Sequence, residues 1–191
     1  MKRLMMTMMV VMLVLMITSC SSRPKVTRVD AQTQIDLSGY WNDFDVRRVS
    51  EALIRDFLYS PRASQAIADI GRQPVVLVGS FRNLSSEHID TGIISTTMET
   101  VIFNTGRLDF VAGGAVREEL RAERQGEIAS ELGADFMLFG SVRSIVERAG
   151  RHSVRTYFVS AEMTDLETGQ RMWMATNDEI KKTVVQRRNR L

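Results

Sequence analysis

Cysteine is almost absent: the chain holds one, Cys20. No intramolecular disulfide can form. Histidine is nearly as scarce. His88 and His152 stand far apart, with no His-x-x-x-His or carboxylate-pair spacing for a metal. Three prolines and twelve glycines exclude a Pro/Gly-rich stalk. Gly113-Gly114 is not followed by Gly-Lys-Ser/Thr, so the phosphate-loop signature is missing. No charge dominates either. Lys+Arg number 25 and Asp+Glu 23; losing Lys2 and Arg3 with a leader leaves 23 basic against 23 acidic. A formally neutral chain lacks the positive surplus of a nucleic-acid binder. There is no internal repeat and no sign of a second domain.

What is present begins at the amino terminus. Lys2 and Arg3 precede an apolar run from Leu4 to Ile17, broken only by Thr7. A basic start and a run of this length predict a secretory signal peptide over 1–19; a spanning helix needs about 20 apolar residues. Ile17-Thr18-Ser19-Cys20 then reads as a lipobox: an aliphatic residue, two small ones, and the cysteine that takes a diacylglycerol. The bland alternative is a plain secretory peptide with an incidental cysteine. Segment 20–35 is expected to be the lipidated Cys20 and a flexible tether. Ser21–Gln34 is polar and aperiodic; stretched it reaches about 50 Å, and as a coil nearer 20 Å. Ser rather than Asp after Cys20 points to the outer membrane, facing the periplasm.

Residues 36–184 are expected to form one globular α/β domain, and 185–191 a basic tail. Val46, Val49, Leu53 and Phe57 recur at helical steps, capped by Asp43 or Asp45. Ser60-Pro61 opens a second short helix that Gly71 can end. Pro74–Gly79 is an apolar run read as a strand covered on both faces. Arg82–Asp90 reads as a polar loop. Asp90 or Thr91 caps a helix bearing Ile93, Ile94, Met98, Val101 and Ile102 on one face. Leu108–Val111 is a strand, Val116–Leu132 a helix, and Phe136–Val142 a central strand. Val154–Met163 and Arg171–Ile180 close a meander through the tight connection Leu166–Gly169. The order is ααβαβαβββ, a mixed β-sheet packed with helices around one core.

Four stretches carry a resemblance. Asp36-Leu-Ser-Gly-Tyr-Trp-Asn-Asp-Phe-Asp-Val-Arg47 resembles the opening motif of LpoB-type lipoproteins, the penicillin-binding-protein activators. Pro74 to Thr91 (PVVLVGSFRNLSSEHIDT) is similar to their second motif. Leu132 to Gly140 (LGADFMLFG) is similar to the third, which related folds such as curli-secretion lipoproteins share. Met163 to Trp173, with Glu179-Ile-Lys-Lys-Thr-Val184, resembles the last. The resemblance implies a fold like the TolB amino-terminal domain. It implies a partner, the regulatory domain of a class A penicillin-binding protein, and stimulation of peptidoglycan synthesis. The residues themselves show no catalytic constellation, so no enzymatic activity and no cofactor are expected. The enterobacterial activators carry a longer tether than the one here. An envelope structural or secretion-assembly lipoprotein is the alternative, and an envelope hydrolase a further one.

The expected partner-binding surface joins Arg82–Asp90 to Tyr40–Asp43, with Trp41 as aromatic anchor and Arg82, Glu87 and His88 as polar groups. The competing account makes Trp41 a cover over the core, and Glu87 and His88 braces for the loop. Trp173 reads as core. Lys181, Lys182, Arg187, Arg188 and Arg190 make a basic end, either solvated and frayed or in contact with anionic lipid or peptidoglycan carboxylates.

Overall fold

The computed structural model describes residues 29–30, 33–34, 36, 38–111 and 133–185. The signal segment, Cys20, most of the tether, the helix expected over Val116–Leu132 and the last basic residues lie outside them. The chain divides into Met1–Thr33 and Gln34–Leu191. In the first unit, Thr33 N–H donates to Asp30 O at 3.0 Å. All the elements named below belong to the second.

Helix α1 spans Asp43–Tyr59 and starts three residues before the apolar repeat because Asn42, not Asp43 or Asp45, is its N-cap. Asn42 Oδ1 accepts from Asp45 N–H, and the Asp45 carboxylate accepts from Asn42 N–H at 2.9 Å, a reciprocal capping box. The helix buries Val46, Val49, Leu53, Ile54 and Phe57 along one stripe. Ser60 ends it and caps α2, Pro61–Asp69, with Pro61 in the first turn as its sequence requires. Helix α3 spans Thr91–Thr105; Asp90 caps it, and Ile94, Met98 and Ile102 face inward.

The sheet has the order β2-β1-β3-β4-β5, with β6 paired to β4 beyond the end of β5. Strand β1 (Val75–Asn83) lies parallel to the short β2 (Asp109–Phe110) and to β3 (Phe136–Ala149). β3, β4 (His152–Asp165) and β5 (Arg171–Asn177) run antiparallel, as do β4 and β6 (Lys181–Val185). The sheet is mixed, as expected. Several boundaries differ from the sequence reading: β2 is only Asp109–Phe110, and β5 ends at Asn177 rather than Ile180. β1 continues through Arg82, placing that residue in a strand opposite Ser141 rather than in a loop. β3 and β4 extend into a long hairpin because cross-strand pairing holds polar residues that have no apolar signature. Lys181 and Lys182 are not a frayed end but open a sixth strand.

The core lies between the helices and one sheet face. Val76, Val78, Leu138, Val142, Val159 and Met163 meet Phe57, Ile94, Met98 and Ile102 there. Leu77 and Ala134 form a smaller cluster on the opposite face, so β1 is covered on both sides. Each fully buried aliphatic side chain contributes roughly 1.5–3 kcal/mol. Gly140 is required by packing: a Cβ there would collide with Ser160 O and the Phe81 ring. Trp173 is buried, edge-on to Phe57 at 5.5 Å, with its indole N–H donating to Asp56 at 2.8 Å.

Candidate partner-binding site

Two stretches distant in sequence meet at one end of the sheet. The first is the strap that leads into α1, described at Asp36 and Ser38–Asn42 and ending on the N-cap. Lys182 pins it: its ammonium donates to Asp36 at 2.9 Å and to Tyr40 O at 2.8 Å. The same ammonium makes an ion pair with Asp45 at 2.6 Å, so one buried cation joins strap, helix and β6. Lys182 is buried because β6 turns it inward beside Arg155, its register partner on β4. Burial pushes the Asp45 carboxyl up and Lys182 opposes that rise. The hydrogen bond from Lys182 holds Asp36 below its ordinary value, with Gln34 helping.

Arg155 supplies the second pin. Its guanidinium donates to Gly39 O at 2.6 Å and lies 4.5 Å from the centre of the Tyr40 ring. Gly39 packs so closely on Val184 that a Cβ there would overlap the valine side chain.

The second stretch is the loop Leu84–Asp90. Asn83 organises it: its amide donates to Glu87 O at 2.7 Å, and its oxygen accepts from Ser85 N–H at 3.0 Å. Ile89 is buried and roots the loop in the core. Glu87 turns inward and is 8% exposed. It pairs with Arg155 at 2.6 Å and accepts from the Tyr157 hydroxyl at 2.8 Å. Burial raises the Tyr157 phenol above its ordinary value, and the Glu87 hydrogen bond adds to this. Glu87 also faces the strap, with Trp41 N–H 3.4 Å away.

Strap and loop enclose a cleft of about 530 Å³. Its floor is Trp41, Val46 and Ile89, and its rim is Asp43, His88, Asp90 and Ile93. Trp41 is half-buried, edge-on to Tyr157 at 5.1 Å, and its indole nitrogen has no hydrogen-bond partner among the described residues. It therefore both covers the core and lines the cleft. His88 is exposed at the rim. Ile93, expected on the core face of its helix, is 53% exposed, because it lies off the buried stripe of Ile94, Ser95, Met98 and Ile102.

Of the four residues singled out from sequence, Trp41, Glu87 and His88 come together and Arg82 does not line the cleft. The sequence reading missed Lys182, Arg155, Tyr157 and Asn83. Lys182 sits within a run of basic residues that reads as solvated, and nothing local marks the other three. No group of three or more His, Asp or Glu among the described residues has metal-binding geometry.

Comparison with solved structures places the fold. The C-terminal domain of LpoB from Escherichia coli superposes with a TM-score of 0.51 at 17% identity, covering 74% of this chain and 99% of that domain. The NMR structure of E. coli LpoB gives 0.50 at 14% identity, covering 88% and 86%. A search of curated proteins finds no match. At these identities the likeness establishes the fold alone. Residues 45–178, which run from the capping box of α1 to the end of β5, match the family described as peptidoglycan-synthase activator LpoB, and the chain belongs to that family.

Proposed function

We propose that this protein is an outer-membrane lipoprotein, acylated at Cys20 after loss of residues 1–19 and facing the periplasm, that binds a class A penicillin-binding protein and stimulates it. It acts as a regulator and not as an enzyme. The observation that carries the reading is the cleft: its strap and loop belong to two of the stretches that resemble the family specifically, and the loop lies within residues 45–178, over which the chain matches the family. An apolar floor with a half-buried tryptophan and a polar rim is the anatomy of an interaction hot spot. Within it Trp41, Ile93 and His88 contact the synthase, while Glu87 holds the loop. Arg82, on β1 outside the cleft, reaches the partner only if the footprint extends beyond the rim.

Activation follows from linkage. A regulator that binds the synthase's active state more tightly than its resting state shifts the population toward activity by that difference in affinity. The test is glycan polymerisation by a purified class A synthase with and without this protein. Wild type should raise the rate. Trp41→Ala should weaken the complex by about 2 kcal/mol, roughly thirtyfold. His88→Ala, at an exposed position, should lower affinity with an unchanged melting temperature. Failure of the wild-type protein to bind or stimulate the synthase refutes the proposal.

A further inference from the structure

A second concave surface lies on the other side of the strap, and its charge is of the opposite kind. This cleft, about 390 Å³, is lined by Arg148, Arg151, His152 and Arg155, by Ser38–Tyr40 of the strap, and by Val184; among the described residues no Asp or Glu lines it. Arg155 is engaged by Glu87. Arg148 and Arg151 are exposed at the tip of the β3–β4 hairpin and have no ion pair among the described residues. Arg148, Ser153 and Val184 are register neighbours across three strands and share one sheet face. Glu147, one residue away, pairs with Val154 on the opposite face. The chain is formally neutral after loss of the leader, so this is a local cationic pole, not a reflection of net charge.

Apolar side chains adjoin the cations. Tyr40 is 56% exposed and Val184 38%. Cations beside exposed aliphatic and aromatic groups match the chemistry of a bilayer interface, where phosphates and acyl chains meet. Peptidoglycan carboxylates would satisfy the arginines but leave Tyr40 and Val184 exposed. The chain's own course agrees. The strap that walls the cleft begins at Asp36, sixteen residues after Cys20, so an anchor at Cys20 keeps this face within a short length of chain from the membrane.

We infer that the pole formed by Arg148, Arg151, Tyr40 and Val184 docks on the anionic phospholipid surface of the membrane that holds the anchor. The choice of that membrane rests on the reading of Cys20 as the acylated residue. Docking orients the domain on its short tether, with the strap between the membrane and the partner cleft.

The experiment uses residues 20–191 carrying Cys20→Ser, so that no acyl chain contributes, sedimented with vesicles. The protein should pellet with phosphatidylethanolamine vesicles containing phosphatidylglycerol and stay in solution with phosphatidylethanolamine alone. Arg148→Gln with Arg151→Gln should cut partitioning about thirtyfold, since each arginine at an anionic surface contributes a factor of about five. Arg55→Gln with Arg62→Gln, at the far end of α1 and the start of α2, removes the same charge and should leave partitioning unchanged. Equal losses in both pairs, equal binding to neutral vesicles, absence of binding, or binding to isolated peptidoglycan in place of vesicles each overturns the inference. Mass spectrometry of the native N-terminus tests the acylation reading separately.

Discussion

Replacing Glu87 by Ala separates a brace from a contact. The side chain is nearly buried and serves two partners, Arg155 at 2.6 Å and the Tyr157 hydroxyl at 2.8 Å. Removing it leaves the Arg155 guanidinium, only 14% exposed in its side chain, without a counter-charge. Breaking a buried ion pair from one side costs about 3–5 kcal/mol, because the surviving charge stays desolvated. The orphaned phenol adds to this, but the two losses share one site and are not additive. Arg155 keeps its bond to Gly39 O, so about 3 kcal/mol is the expected cost. For a domain of this size that lowers the melting temperature by about 6–12 °C. Urea unfolding followed by tryptophan fluorescence measures it, with Trp41 against Tyr157 as a local reporter. A double-mutant cycle with Arg155→Met should show coupling, the double variant costing less than the two singles together. A cost below about 1 kcal/mol with weakened synthase binding would refute the bracing role and make Glu87 a direct contact.

Other expectations follow from the same geometry. Leu138→Ala should cost about 2–5 kcal/mol in urea unfolding, since Leu138 is fully buried between Val78 and Met163; below about 1 kcal/mol, β3 is not the central strand. Lys182→Met should cost about 3 kcal/mol at neutral pH by stranding the buried Asp45 carboxylate. Asp45 already binds its proton more tightly folded than unfolded, and loss of Lys182 raises that value further, so stability falls as pH rises through the carboxylate range. The variant's deficit should therefore shrink on acidification; a deficit that grows would invert the argument. Cys20→Ser should leave an unacylated precursor, read by mass spectrometry of the N-terminus, and an unacylated mature wild-type protein would remove Cys20 as the anchor.

The sequence alone was enough to locate most of the elements, because their signals are local. The three- and four-residue spacing of Val46, Val49, Leu53 and Phe57 defines α1, and the runs at Val75–Val78 and Phe136–Val142 define two buried strands. Pro61 and Asp90 mark helix starts for reasons confined to one turn. The motifs at 36–47 and 74–91 were also enough to point to the family. What the sequence could not decide depends on partners far along the chain. Whether Glu87 faces solvent or the core rests on Arg155 and Tyr157, nearly seventy residues away, being brought beneath the loop by the β3–β4 hairpin. Whether Lys182 is a solvated tail residue or a buried pin rests on β6 pairing with β4 and meeting Asp36 and Asp45. Ile93 looks like a core residue by its place beside Ile94, but the helix turns Ile94, Ser95, Met98 and Ile102 inward instead, and Ile93 becomes the rim of a cleft. Periodicity reports which side chains can share a face; only the assembled sheet determines which faces are covered and which charges are left to find each other.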